Sequence, residues 1–266
     1  MNDHVSRPFS EDVVGIVPMA GTASRLGELA CSKEIHPVKP AVGERGTDGS
    51  PRAVCEHLLE KMHAAGVTRV YVILRQGKWD IPAYLGDGSR NGLHLAYLMM
   101  GLPYGTPYSI DQAYPFSQHA IVAFGFPDMV LAPGDIFRTL LEYRKPTDAD
   151  VVLGLFPADR SDKVDMVDVD SNAKVKQIIL KPGHTHLRFT WGVAVWTPTF
   201  SRFTHEFLAA HQKIAATEPE IFLGDIVQAG IDNGLNIHAI QVSAHPFLDI
   251  GTTDDLRRAT IPPEGN

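Results

Sequence analysis

Three observations predict an α/β fold with a Rossmann-like, mainly parallel sheet flanked by helices. Short apolar runs alternate with amphipathic segments over the first 160 residues. Turn residues punctuate them, as at Gly66 and Pro133-Gly134-Asp135. After Pro157 the spacing tightens into two short runs around a polar turn, which predicts a β-hairpin excursion in the C-terminal half.

The elements follow in order. Residues 13–17 (VVGIV) form a continuous apolar run of strand length. Residues 53–65 have apolar positions at helical spacing and stop at Gly66, a residue suited to the left-handed turn after a helix. Strands are predicted at 69–74, 93–98 and 120–124, a helix at 136–143 and a strand at 150–156. The hairpin pairs 166–169 with 175–180 across Ser171-Asn172-Ala173. A strand at 191–196, helices at 200–210 and 223–232, a strand at 237–242 and a closing helix at 253–259 complete the list. Strand–helix–strand units of this kind cross over right-handed and bind ligands beyond the carboxyl ends of their strands. The polar loop 44–50 (ERGTDGS) falls near that end.

The chain has 266 residues, 44% hydrophobic and 21% charged, which suits one large globular unit. No apolar run is long enough to span a bilayer, and the first residues, MNDHVSRPFSED, lack an apolar signal core. A net charge of -7 argues against nucleic acid as a partner, but not against a small phosphorylated ligand that needs only local cations. Cys31 and Cys55 are too few for a disulfide framework, which suggests a reducing cytoplasm. The histidines are scattered, and the close pair His184 and His186 has no metal-site context.

Chemistry is concentrated at 13–38. The first strand ends in a small-residue loop, Ala20-Gly21-Thr22-Ala23-Ser24, which leads to Arg25 and then Lys33. Such a loop lets backbone N–H groups approach an anion, and two fixed cations beyond it suit a polyphosphate.

These residues carry a resemblance to the sugar nucleotidyltransferases, the NDP-sugar pyrophosphorylases. Residues 18–26 (PMAGTASRL) stand where that family has L-A-G-G-x-G-T-R-L, and 32–38 (SKEIHPV) where it has P-K-x-L-L-P-V. Further echoes follow in the same order: 85–89 (LGDGS), 126–128 (FPD) for a G-D after a strand, and 180–182 (LKP) for E-K-P. Then come 191–193 (WGV), 220–225 (EIFLGD) for E-I-x-x-T-D, and 248–252 (LDIGT) for L-D-x-G-T. The resemblance implies a reaction joining a nucleoside triphosphate to a sugar 1-phosphate with release of pyrophosphate. It implies Mg²⁺ held by Asp128 and Asp249, and Arg25 and Lys33 as the catalytic cations. It gives nucleotide contacts to Ala20, Gly21, Thr22, Ala23, Ser24, Met100 and Gly105, and sugar-phosphate contacts to Lys181, Trp191, Gly192 and Glu220. One domain, 1–266, is implied, with a nucleotide-binding part at 1–160 and a sugar-phosphate-binding part at 161–266. Small-molecule substrates and a homo-oligomer are implied as partners.

Each assignment has a structural alternative. Asp128 and Asp225 are placed where turns and helix caps use aspartate, Lys39 competes with Lys33, and Asp249 precedes a helix that Thr252 or Thr253 is better placed to cap. Cys31 reads as a small packed side chain. The chain also departs from the pattern. Only Gly21 survives in the glycine loop, where alanine is tolerated if φ is negative. Met100 replaces a base-reading glutamine, so thymidine or uridine specificity is not carried over. Pro127 replaces a glycine, Leu180 a glutamate, and Arg52 a small residue or proline. Two other readings stay open. One is a non-catalytic nucleotide-sugar-binding homologue. The other is a glycosyltransferase using Asp168-Val169-Asp170 as D-x-D, although that triplet reads better as a hairpin turn. The absence of G-x-G-x-x-G after the first strand argues against a dinucleotide-dependent dehydrogenase.

Overall fold

The computed structural model describes residues 11–23, 26–27, 29–38, 51–101, 105–211 and 220–260. Ser24, Arg25, Lys39 and the loop 44–50 lie outside the described residues. The chain opens with β1 (Val13–Pro18), the short β2 (Pro37–Val38) and β3 (Arg52–Ala53), and α1 (Val54–Ala64). Next are β4 (Arg69–Arg75), α2 (Asp80–Leu85), β5 (His94–Met100), α3 (Thr106–Asp111) and α4 (Tyr114–Ser117). The middle holds β6 (Ile121–Gly125), β7 (Met129–Val130), α5 (Ile136–Thr147) and β8 (Val151–Pro157). The hairpin β9 (Met166–Val169) and β10 (Val175–Ile179) leads to β11 (Phe189–Trp196). α6 (Pro198–Ala210), α7 (Leu223–Asp232), β12 (Ile237–Gln241), β13 (Leu248–Asp249) and α8 (Thr253–Thr260) end it.

Among the described residues nine strands form one sheet. β1 lies at its centre, parallel to both β4 and β6, and β5 continues the parallel run beyond β4. The chain therefore winds outward from β1 to β5 and then returns to β6 on β1's other side. That reversal opens a crevice at the carboxyl ends of β1 and β6, where ligands bind in this class of fold. The sheet has the expected parallel core and is mixed beyond it, because β11 runs antiparallel to both β6 and β8. The hairpin was placed correctly by its spacing: Asp170 Oδ1 accepts the amide N–H groups of Asn172 at 2.8 Å and Lys174 at 3.0 Å. The Asp168-Val169-Asp170 triplet thus leads into a turn.

The sheet is buried on both faces, which explains why its central strands read as unbroken apolar runs. Ile16 and Phe124 face one layer, with Trp196 and Phe200 of the β11–α6 region. Val17 and Ala123 face the other, with Leu58 and Met62 of α1 and Phe137 of α5. Each large side chain so buried contributes about 1.5–3 kcal/mol. The sequence did not show α2, α3 and α4, which are too short for a periodic stripe. Pro107 and Pro115 open α3 and α4, where a missing N–H costs nothing. Among the described residues no helix is long and apolar enough to cross a membrane.

Candidate active site

The loop after β1 is pinned by Met19, whose N–H donates to the Ile73 carbonyl at 2.8 Å. Ala20 is buried, Gly21 and Thr22 are exposed, and the chain turns at Ala23. Ala23 has φ +54°, the left-handed region. The condition under which alanine is tolerated is therefore not met at Ala23: the methyl group is held where glycine is favoured, at about 1–2 kcal/mol.

Lys33 follows on a single 3₁₀ turn, residues Lys33–Ile35. The residue before it is anchored, since Ser32 donates its N–H to Asp80 Oδ2 at 2.6 Å and its hydroxyl to Asp80 Oδ1 at 2.8 Å. Lys33 crosses to form an ion pair with Asp128, just beyond β6. Burial pulls the Lys33 amine down, but Asp128, then Glu34 and Asp249, outweigh it and hold the amine above its ordinary range. Lys33 is therefore a fixed cation at neutral pH. Glu34 is fully buried and accepts from Lys78 Nζ with both oxygens, at 2.6 and 2.7 Å.

Asp249 reaches this point through a two-stranded ribbon. β13 pairs antiparallel with β7, setting Asp249 opposite Met129, and the Ile250 N–H donates to the Asp128 carbonyl at 3.0 Å. Gly251 completes the arrangement, because a Cβ there would lie 3.2 Å from both Asp249 carboxylate oxygens. The helix-cap role falls to Thr252, whose Oγ1 accepts the Asp255 N–H at 3.3 Å.

Two cavities meet over this ribbon. One, about 340 Å³, is lined by Ala20, Gly21, Thr22, Ala23, Lys33, Glu34, Gly105, Ser109, Asp128, Glu220 and Gly251. The other, about 310 Å³, is lined by Asp128, Asp249, Asp165, Lys181, Trp191, Glu220 and Phe222, among others. Thr106, Phe126, Asp128, Glu220 and Gly251 belong to both, so the cavities form one cleft that joins at these residues. Gly105 has φ +115°, and a Cβ on it would meet Glu220 Oε1 at 3.0 Å, so a side chain there is opposed by both backbone and neighbour. Lys181 also has a positive φ, +41°, and its Nζ lies 4.5 Å from the centre of the Phe222 ring. Trp191 is buried and shows the second cavity little surface. Gly192 lies beneath, where a Cβ would meet Met129 Sδ at 3.0 Å. Met100 is buried in the core and lines neither cavity, while its neighbour Ser109 donates to its sulfur at 3.1 Å and lines the first. Asp225 accepts the Phe222 N–H at 2.8 Å, a cap for α7. Burial first, then Asp80 and Glu34, raise the Cys31 thiol, which fits a packed side chain better than a nucleophile.

Glu34, Ser109 and Asp165 line the cleft and were not singled out from the sequence. Asp165 carries no motif. Burial pushes its carboxyl up to about 6, with Lys181 opposing and Asp225 adding. Among the described residues no group of three or more His, Cys, Asp or Glu side chains converges as a metal cage.

A model of the nucleotidyl transferase family matches residues 14–262, from the first strand through the last helix. The chain belongs to the nucleotidyl transferase family. It is 26% identical to the low-salt glycan biosynthesis nucleotidyltransferase Agl11 of Haloferax volcanii, over 92% of this chain and 64% of that protein. It is also 26% identical to a glucose-1-phosphate thymidylyltransferase of Streptomyces griseus, over 91% of this chain and 63% of that one. The chain thus spans less than two thirds of the length of the curated relatives it matches. Its fold is shared with a Bacillus anthracis protein provisionally assigned as a glucose-1-phosphate thymidylyltransferase and crystallised with sucrose, at TM-score 0.77 and 18% identity over 93% of each chain. It is shared too with a UDP-glucose pyrophosphorylase complexed with UDP-glucose, at TM-score 0.74 and 13% identity over 93% of this chain and 97% of that one.

Proposed function

We propose that this nucleotidyl transferase condenses a nucleoside triphosphate with a sugar 1-phosphate, giving an NDP-sugar and pyrophosphate. The observation that carries the reading is the Lys33–Asp128 ion pair at the join of two cavities, with Asp249 tied beside it by the β7–β13 ribbon. In the reaction a phosphate oxygen of the sugar 1-phosphate attacks the α-phosphorus. A new P–O bond forms, the α–β P–O bond breaks, and pyrophosphate leaves with that electron pair. The nucleophile is already an anion, so no general base is required. What remains for the protein is alignment and charge neutralisation.

The first cavity takes the nucleotide on this reading, with loop amides of residues 20–24 on its phosphates, Gly105 beside it, and Arg25 and Lys33 as the cations. The second takes the sugar phosphate, with Lys181 on the phosphate and Trp191, Gly192 and Glu220 around the sugar. Residues 1–266 then act as one domain, residues 1–160 serving the nucleotide and 161–266 the sugar phosphate. Two oxygen donors on neighbouring segments suit Mg²⁺, which commonly takes one or two carboxylates and fills its shell with phosphates and water. Asp128 and Asp249 would hold the ion, which would neutralise phosphate charge when bound. A cytoplasmic setting belongs to the same proposal.

The test is pyrophosphate release with Mg²⁺, each common nucleoside triphosphate and a panel of sugar 1-phosphates. At least one pair should turn over. Asp128→Asn and Asp249→Asn should each lower kcat by about 100-fold or more while leaving the melting temperature within a few degrees. No release with any pair, alongside measurable nucleotide-sugar binding, would favour the non-catalytic homologue. Unchanged rates in both variants would remove the metal assignment.

A further inference from the structure

Asp165 closes the segment before β9 and lines the second cavity. The hairpin register sets Ile179 opposite Met166, so Asp165 and Leu180 face each other across the next position. Their side chains meet over Gly224, in the first turn of α7. A Cβ placed on Gly224 would lie 2.7 Å from Leu180 Cδ2 and 2.8 Å from Asp165 Oδ2. Glycine is what leaves room for that carboxylate. Leu180 stands where the E-K-P pattern has a glutamate, so the acid missing from one strand of the hairpin is supplied by the other.

A structural role for Asp165 does not account for the contacts. If the carboxylate capped α7 it would accept the N–H of Leu223 or Gly224, and among the described residues neither donates to it; the capping carboxylate is Asp225, which accepts the Phe222 N–H at 2.8 Å. Asp165 makes no hydrogen bond or ion pair with any described residue, although it is half-buried and a second carboxylate, Asp225, lies close enough to raise it. The half-buried carboxylate thus lines the cavity with its hydrogen-bonding capacity unused by the protein, which leaves it open to a donor on a ligand that enters there. Lys181, on the same wall, would hold the phosphate end of that ligand.

We propose that Asp165 is the residue that selects the sugar, accepting a hydrogen bond from a ring hydroxyl or amino group and turning away sugars that carry a carboxylate. The proposal rests on the nucleotidyl-transfer reading and narrows its substrate class to neutral or amino-sugar 1-phosphates. A hexuronic acid 1-phosphate would set its carboxylate against Asp165, in a cavity that Arg160, Lys163 and Arg258 also line, so Asp165 is the group that disfavours it.

The experiment compares the full-length wild type with Asp165→Asn and Asp165→Leu. The assay is pyrophosphate release on a hexose 1-phosphate, its amino and monodeoxy analogues, and a hexuronic acid 1-phosphate. Asp165→Asn should raise KM for the preferred sugar 1-phosphate about 10-fold or more, and leave KM for the nucleoside triphosphate unchanged. The penalty that wild type shows for one monodeoxy analogue should shrink in both variants, and Asp165→Asn should accept the hexuronic acid better relative to the hexose. Asn is isosteric, so it decides the matter even if the leucine variant fails to fold. Normal sugar KM and an unchanged substrate ranking in Asp165→Asn, with turnover intact, would overturn the proposal and leave nucleotidyl transfer standing. A wild type that turns over no pair at all would overturn both.

Discussion

Lys78 and Glu34 are 4% and 1% exposed, and each is the other's partner in the interior. Burial lowers the Lys78 amine and raises the Glu34 carboxyl, so both charges cost the fold energy that their double hydrogen bond returns only in part. Lys78→Met strands a buried carboxylate and should destabilise by about 3–5 kcal/mol in denaturant titrations. The double change Glu34→Leu with Lys78→Met should recover most of that loss. A double variant as unstable as the single one would mean the pair is not the reason for the loss. At this scale the sequence was legible where a side chain stands next to a backbone signal. Lys33 follows a small-residue loop and Asp128 follows a strand end, and the structure joins the two. It was not legible where the partner is distant: nothing near Glu34 announces Lys78, 44 positions on. Met100 shows the converse error, since motif position put it at the nucleotide while its apolar chain went to the core.

Helices longer than two turns and strands of five residues or more were read correctly because their periodicity carries the signal. The strands at 69–75 and 151–157 and the helix at 54–64 fall within a residue or two of expectation. The ribbon of β7 and β13 was invisible, because two residues on each side establish no alternation. Single glycines do much of the positioning between elements. Gly105 introduces α3 with φ +115° and lies against Glu220. Gly105→Ala must meet both the positive φ and a 3.0 Å contact, and should cost about 1–3 kcal/mol of stability. It should also raise KM for the nucleoside triphosphate, since Gly105 lines the first cavity. A variant with wild-type melting and kinetics would show that the backbone there is freer than its φ indicates.

On the scale of the molecule, the sheet's winding decides where chemistry is possible. The reversal at β1 makes the crevice, and the antiparallel β11 carries the chain to the hairpin and Lys181. The fold class was legible because strand–helix alternation permits few topologies. The antiparallel insertion was not, since a fully buried strand reads alike in either direction. A cleft assembled from both halves should tighten when filled. With Mg²⁺ and the preferred nucleoside triphosphate at 100 times Kd, stability should rise by about 2.7 kcal/mol. For a chain of this size that is a gain of about 5–10 °C in Tm. Chelation of the metal should remove most of the gain. An equal gain in excess chelator would show that the nucleotide binds without it.

The pairing of β13 with β7 joins positions 120 residues apart at the site's two carboxylates. During synthesis the ribosome delivers the loop, Lys33 and Asp128 long before Asp249. A nascent chain can therefore shape its first cavity while one half of the carboxylate pair is still unmade. The cleft is therefore completed late in translation, once the stretch around Asp249 has cleared the exit tunnel and closed against β7.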